Sequence, residues 1–514
     1  MIDLFGVLPE PNTLSDSEVQ FLDTTLRDGE QAPGISLTPT DKAEIARKLD
    51  ATGVSVIEAG SACTGTGERE TISRVTDLDL DAMVTSFARG VKSDIELALD
   101  CGVDGVNLVV PASDRHIEGK VGTTRDEVVE TTVNLTEYAK DHGLWLEVLG
   151  EDGSRADLDF LERLMGAAID AGADRICYCD TVGHATPEHT AAAVSELAPL
   201  GSTSTHTHDD LGLALANALV SIEAGADLVH ATVNGIGERA GNVALEEVAV
   251  ALDHGYNVET VDTERLYDLA QTVATATDVP LAPNKAVVGE NAFAHESGIH
   301  TDGTLKDEAM YEPYPPSTVG RERRLVLGKH AGRAGVRSAL DEHNVAVVDD
   351  ELNTIVERVK TIGERGRRIT DTDLLAIADE VQGRERDRPI ELLDLTATSG
   401  GATPTASVRL AVDGEQHVAS GVGSGPVDAA VTATRKALDI DATLESYHVD
   451  AITGGTNALV TVEVEVSQGD HSVSVNASDA DITRASVTAM LNAFNQLLET
   501  DRRSVTVTES ATHE

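Results

Sequence analysis

Cysteine, lysine and aromatic residues are all scarce in this 514-residue chain. Four cysteines in that length make no disulfide framework, which excludes a stapled secreted fold and points to a reducing cytoplasm. The opening MIDLFGVLPEPNTLSDSE has no basic segment followed by an apolar one, so it does not read as a signal peptide. No run approaches the ~18 apolar residues of a membrane span. Basic charge is also short. Against 89 Asp+Glu stand only 39 Lys+Arg, a formal net charge of −50. Such a charge repels phosphate backbones and anionic lipid, which excludes nucleic acid and membrane surfaces as partners.

What is present is a 41% hydrophobic chain, too apolar to be disordered over most of its length. Its basic residues are 10 Lys and 29 Arg, and aromatics reach only 3%. The combination reads as a folded protein of a very salty cytoplasm, where carboxylates stay hydrated and salt screens their repulsion. An acidic protein of an ordinary cytoplasm is the plainer alternative.

From about residue 20 to 285, short apolar strands alternate with helix-period segments. Strands are expected at 19–25, 54–60, 82–88, 105–110, 144–150, 175–180, 202–208 and 227–233. Several intervening helices end in Gly directly before the next strand. Eight such repeats suit a (β/α)8 TIM barrel; the rival open sheet lacks a glycine-rich nucleotide loop after its first strand. The organisation read from the chain is an N-terminal segment (1–18), a catalytic barrel (19–285), a helical extension (286–385) and, after a charged linker, an α+β domain (390–508). Helical patterns in the extension lie around 333–343 and 350–382, and the last domain holds two similar strand-then-helix halves. Cys177-Tyr178-Cys179 reads as two cysteines on one strand face rather than a zinc site.

A barrel concentrates its chemistry at the carboxyl ends of its strands. The first strand finishes in DTTLRDGEQ, presenting Arg27 and Asp28, and the seventh in His206-Thr207-His208. Residues two apart on a strand face one side, so both imidazoles reach the barrel mouth together. Asn242 sits on a Gly-flanked turn after strand eight. Two His and one Asp leave coordination positions open for a 2-oxo acid, and suit Zn²⁺, Mn²⁺ or Mg²⁺ without choosing among them. Taken alone, the H-x-H pair also reads as two satisfied strand histidines.

DTTLRDGEQ, HTHDDLGLALAN (206–217), VNGIGERAGN (233–242) and NAFAHESGIH (291–300) together resemble the α-isopropylmalate synthase family. That family also holds citramalate, homocitrate and related acyl-CoA Claisen condensing enzymes. IEAGSACTGTGERE (57–70), LVVPASDRHIEGKVG (108–122) and LGKHAGR (327–333) look like its archaeal (R)-citramalate synthase group, and GVGSGPVDAA (421–430) like its regulatory domain. The resemblance implies that Asp28, His206 and His208 ligate a divalent metal, with Asn242 beside them or bridged by water. Arg27 would donate to the developing alkoxide, and His116 and Thr181 would contact the 2-oxo acid carboxylate. Glu151 matches the family's catalytic glutamate and His300 its catalytic histidine, with Tyr311 nearby and His295 structural. One departure is Leu149, where relatives often carry Ser two positions before the catalytic Glu.

The implied activity is condensation of acetyl-CoA with a short 2-oxo acid. Pyruvate would give citramalate for isoleucine synthesis, the reading favoured by Gly60-Ser61-Ala62; 3-methyl-2-oxobutanoate would give 2-isopropylmalate for leucine. A lyase on the same barrel and a non-catalytic amino-acid sensor are the rival classes. A branched-chain amino acid is the expected effector and a homodimer the expected assembly. Candidates to hold the CoA phosphates are Arg321, Arg323, Arg324 and Lys329. Both substrates are anions, so the −50 field opposes their approach unless salt screens it. Activity and folding should therefore both weaken as salt falls below molar levels, and full activity after dialysis into dilute buffer would overturn the halophilic reading.

Overall fold

The computed structural model describes residue 14 and residues 18–307, 310–364, 369–383, 390–399, 403–438, 442–451, 460–469 and 471–511. Two compact units divide the chain. The first holds Met1–Phe293 and Tyr314–Arg323; the second holds Ala294–Pro313 and Arg324–Glu514.

The first unit is a closed barrel of eight parallel strands: β1 (Gln20–Asp23), β2 (Val56–Glu58), β3 (Met83–Arg89), β4 (Gly105–Pro111), β5 (Trp145–Glu151), β6 (Arg175–Asp180), β7 (Thr203–Thr207) and β8 (Leu228–Ala231). Each observed strand lies on an expected segment to within a few residues. Closure comes from β1 pairing with β8, with Leu22 opposite His230 and Asp23 opposite Ala231. The helices between strands are started by side chains that accept from their first turn. Thr38 and Asp41 form a reciprocal capping box on helix Pro39–Thr52, and Thr124 and Glu127 do the same on Arg125–Asp141. Gly53 ends the first of these helices at φ 93°, a left-handed conformation that a Cβ would strain.

Inside the barrel, Leu22, Val56 and Leu228 pack with Met83 in an apolar plug. One interior position further along the strands the lining turns polar. Asn107 donates to Glu147 (2.6 Å), as does Ser204, and His230 Nε2 lies 3.0 Å from the same carboxylate; all four residues are buried. Barrel interiors are ordinarily filled by branched apolar residues, so this layer is unusual.

The second unit contains the paired short strands β9 (Ala294–His295) and β10 (Arg324–Leu325) and helices Gly298–Lys306, Arg333–Glu342, Asp349–Gly363 and Asp371–Gln382. The pattern expected over 350–382 is therefore two helices. Gly363 ends one, and Thr370, in a capping box with Asp373, starts the next. Two antiparallel sheets follow, each carrying a helix: β11 (Ile390–Thr398), β12 (Thr405–Val412) and β13 (Glu415–Val422) with Pro426–Leu438, then β14 (Thr443–Ala451), β15 (Val460–Gln468) and β16 (His471–Asp479) with Ile482–Ala511. The alternation in sequence reveals β12, β15 and β16, whose inward positions Val408, Leu410, Val462, Val464, Val466, Val473 and Val475 are fully buried. It hides β11, β13 and β14, which are exposed along most of their described length.

On the outward face of β1, Asp23 is fully buried against the helical layer. Burial pushes its carboxyl up to about 7, although the Thr25 amide and hydroxyl both donate to it; Glu246 and Glu58 add to the rise. A carboxyl whose folded value exceeds its unfolded one favours the fold at low pH and withdraws that support as pH climbs from about 4 to about 7. Asp23→Asn should accordingly gain stability relative to the parent across that window, read by thermal unfolding in concentrated salt. A difference that stays flat with pH would refute the assignment.

Candidate active site

The turn leaving β1 folds back on itself, with the amides of Arg27, Asp28 and Gly29 all donating to Thr24 O. It delivers two opposite charges, both buried, into the barrel mouth. Arg27 Nε bonds Glu58 Oε2 (2.6 Å) at the end of β2, its Nη1 bonds Asp28 Oδ2 (2.5 Å), and its guanidinium lies 4.6 Å over the Phe87 ring. Burial works against the Arg27 charge, but Glu58 and Asp28 outweigh it and hold the group more firmly protonated than in water. Burial likewise opposes ionisation of Asp28, yet the Arg27 guanidinium beside it and the Asn242 amide drive it well below the usual carboxylate range.

His206 Nε2 and His208 Nε2 lie 3.3 Å apart, and His206 Nε2 lies 3.8 Å from Asp28 Oδ2. Burial lowers both imidazoles, so both stand neutral with lone pairs available. Ligand atoms of Asp28, His206 and His208 all fall within 4.8 Å of one another. Nitrogens bound about 2.1 Å from a common ion lie about 3.0–3.4 Å apart at ordinary coordination angles, so the pair has the separation of two ligands to one metal. Asn242 Nδ2 donates to Asp28 Oδ1 (2.9 Å), while its buried Oδ1 has no partner among the described residues. An orphaned oxygen beside a carboxylate and two neutral imidazoles suits a hard divalent cation. Gly241 shapes this corner: at φ 92° its Cβ would meet Gly235 O at 1.9 Å, and its own carbonyl accepts from His208 Nδ1 (3.2 Å).

A second constellation lies at the ends of β4, β5 and β6. Glu151 Oε1 accepts from Lys120 Nζ (2.5 Å), and His116 Nδ1 lies 3.1 Å from Oε2 without a hydrogen bond to it. The Thr181 hydroxyl accepts from the Asp152 amide (2.9 Å), and buried Asp152, left-handed at φ 63°, accepts from Ser113 and Arg155. Leu149 is buried with Cys177, Cys179 and Val109, and the two cysteine sulfurs are 3.7 Å apart on one strand face.

His300 and Tyr311 belong to the second unit, both exposed, with ring centroids 4.3 Å apart. His295 pairs with buried Glu312 (3.1 Å), the use expected of a structural histidine. Of the four basic candidates for CoA, Arg321 is committed to the Tyr267 ring and the Gly289 carbonyl; the side chain of Arg324 lies outside the described residues. In the GVGSGPVDAA turn, the Ser424 amide and hydroxyl both donate to Asp428, so an ordinary capped turn accounts for its geometry.

Sequence reasoning missed Glu58 and Lys120. A carboxylate inside the apolar run VSVIEAG was the available signal for Glu58. Lys120 is four residues after His116, and a π-helical turn (Ile117–Val121) brings it to the same carboxylate.

Family models match along most of the chain: HMGL-like over residues 18–273, homocitrate synthase post-HMGL domain-like over 287–367, and LeuA allosteric (dimerisation) domain over 368–498. A putative (R)-citramalate synthase of Methanothermobacter thermautotrophicus is 52% identical, the match covering 94% of this chain and 99% of that one. The chain belongs to the α-isopropylmalate synthase family. An (R)-citramalate synthase of Methanocaldococcus jannaschii is 49% identical over 93% of this chain and 99% of its own length; a 2-isopropylmalate synthase of the same organism is 44% identical over 93% and 95%. For this member of the family the clustered donors make a direct forecast. Asp28→Asn should lower affinity for Mn²⁺ at least about tenfold while leaving circular dichroism unchanged, because it removes the anionic ligand. Unchanged Mn²⁺ binding would refute the assignment.

Proposed function

We propose that this enzyme condenses acetyl-CoA with pyruvate to give (R)-citramalate and free CoA. The observation that carries the reading is the Arg27–Asp28–His206–His208 cluster at the mouth of a barrel that matches citramalate synthases over nearly its whole length. A divalent ion held by Asp28, His206 and His208, with Asn242 beside it, supplies Lewis acidity toward the 2-oxo carbonyl when bound; Zn²⁺, Mn²⁺ and Mg²⁺ all suit the donors.

The chain's own groups account for the remaining work. Arg27, fixed by Glu58, donates to the oxygen on which negative charge develops. Glu151 removes a proton from the acetyl methyl group, and the new carbon–carbon bond forms between that carbon and the 2-oxo carbon. A general acid, the role that the family resemblance implies for His300 with Tyr311 beside it, returns a proton to the alkoxide, and water then cleaves the thioester to release CoA. His116, Lys120 and Thr181 orient the carboxylate ends of base and substrate.

Leu149, two residues before Glu151 on the same strand face, puts an apolar side chain where relatives often have Ser. That extra volume favours the methyl of pyruvate over the isopropyl of 3-methyl-2-oxobutanoate, a difference a pocket separates by only about 1–3 kcal/mol. Formation of 2-isopropylmalate is the second reading, favoured by the 44% identical 2-isopropylmalate synthase.

Within this reading residues 19–285 catalyse, 286–385 form the extension, and 390–508 bind a branched-chain amino acid in a cytoplasmic homodimer. The test is thiol release by the purified full chain in molar salt with Mn²⁺, acetyl-CoA and each 2-oxo acid, with and without added isoleucine or leucine. Pyruvate should give the larger kcat/KM, by about tenfold or more, and one amino acid should inhibit. No thiol release with either acid would sink the synthase assignment.

A further inference from the structure

The two candidate metal histidines are supported unequally. His208 directs Nδ1 at the Gly241 carbonyl (3.2 Å), which leaves Nε2 for the ion. His206 faces the same point through Nε2, yet its buried Nδ1 has no hydrogen-bond partner among the described residues. An imidazole bound through Nε2 carries its proton on Nδ1, and metal-ligating histidines almost always give that proton to an acceptor. The acceptor for His206 is what the site lacks.

The next strand offers one. His230 sits opposite His206 across β7 and β8, is 1% exposed, and turns its ring edge-on at 83° with 5.5 Å between centroids. Its Nε2 lies 3.0 Å from Glu147 Oε1. Glu147 also receives the Asn107 amide and the Ser204 hydroxyl, donors that suit an ionised carboxylate. His230 therefore places its proton on Nε2, and its Nδ1 is left with a lone pair. That Nδ1 is itself buried and unpartnered. One orphaned donor and one orphaned acceptor thus stand on adjacent rings whose centroids are 5.5 Å apart.

We propose that Glu147 and His230 are positioning residues for the metal: Glu147 fixes the His230 tautomer, and His230 Nδ1 takes the Nδ1 proton donated by His206, directly or through one water. The polar layer beneath the barrel mouth then has a purpose, since it orients a metal ligand from inside the barrel. A competing use exists, because ligand atoms of Glu147, Cys177 and His230 also lie within 4.8 Å of one another. The three donors already engaging Glu147 favour the relay over a second ion.

The inference rests on Asp28, His206 and His208 holding a divalent ion, and the experiment separates the two ideas. Free Mn²⁺ is followed by electron paramagnetic resonance as it titrates the full-length wild type, Glu147→Gln, His230→Leu, His230→Gln and His208→Asn in molar salt. The wild type should bind one ion per chain tightly, and His208→Asn should lose it. Glu147→Gln and His230→Leu should each keep one site but bind about 10–100-fold more weakly. His230→Gln, whose amide can donate to Glu147 and accept from His206, should keep most of the affinity, which a merely space-filling role for the ring does not require. It also keeps the test decisive if His230→Leu fails to fold. Wild-type affinity in both Glu147→Gln and His230→Leu, with loss in His208→Asn, would overturn the relay and leave the metal assignment standing. Equal binding by wild type and His208→Asn would overturn both. A second ion that survives in His208→Asn and vanishes in His230→Leu would make the inner cluster a site in its own right and overturn the relay.

Discussion

Arg27 is a buried cation in a chain of net charge −50, and two carboxylates keep it in place. Glu58 and Asp28 grip it from opposite sides at 2.6 and 2.5 Å, and Phe87 covers its face. Without them, burial would make the charge prohibitively costly. The same grip keeps Asp28 ionised inside the barrel mouth, where burial would otherwise disfavour the anion. The Asn242 corner and the proposed chemistry both presuppose that ionised aspartate, and burial keeps the two imidazoles neutral beside it. Global charge is thus overruled locally by a few contacts shorter than 3 Å, as expected where water is excluded and the effective dielectric is low.

Precision at the mouth is inherited from the barrel. Strand register puts Cys179, His206 and His230 side by side, and the i, i+2 rule puts Leu149 with Glu151 and His206 with His208 on inward faces. Loops contribute the remainder through backbone contacts: the turn after β1 closes on Thr24 O, and the turn after β8 closes through Gly241. The polar layer of Asn107, Glu147, Ser204 and His230 sits between the apolar plug and the mouth, and each of its members is buried. Buried polar groups of this kind are specific only when their hydrogen bonds are complete, so the unpartnered ring nitrogens of His206 and His230 carry more information than the satisfied carboxylate of Glu147.

Much of this was legible beforehand. Barrel strands are short, mostly apolar runs with capped helices between them, so eight repeats could be read with boundaries good to a few residues. Asp28, His206, His208 and Asn242 could be named because each lies at or beyond the carboxyl end of a recognisable strand. Strands β11, β13 and β14 were not legible, since exposed strands of mixed polarity lack a period-2 hydrophobic signal. The break between helices Asp349–Gly363 and Asp371–Gln382 was blurred because both segments carry the same apolar period.

Local chemistry and rhythm therefore lie in the sequence alone: an eightfold strand–helix alternation, a strongly acidic composition, an aspartate and two histidines at strand ends, and Leu149 two positions before Glu151. The pairings were decided only in three dimensions. Glu58 reaches Arg27 across 31 positions, His230 reaches Glu147 across 83, and Asn242 reaches Asp28 across 214. The physical reason is barrel closure, which makes neighbours of the first and last strands and seals their side chains from water. A lone glutamate or histidine in an apolar strand says that a partner must exist. Which partner it has depends on register and on which face turns inward, and those exist only in the folded chain.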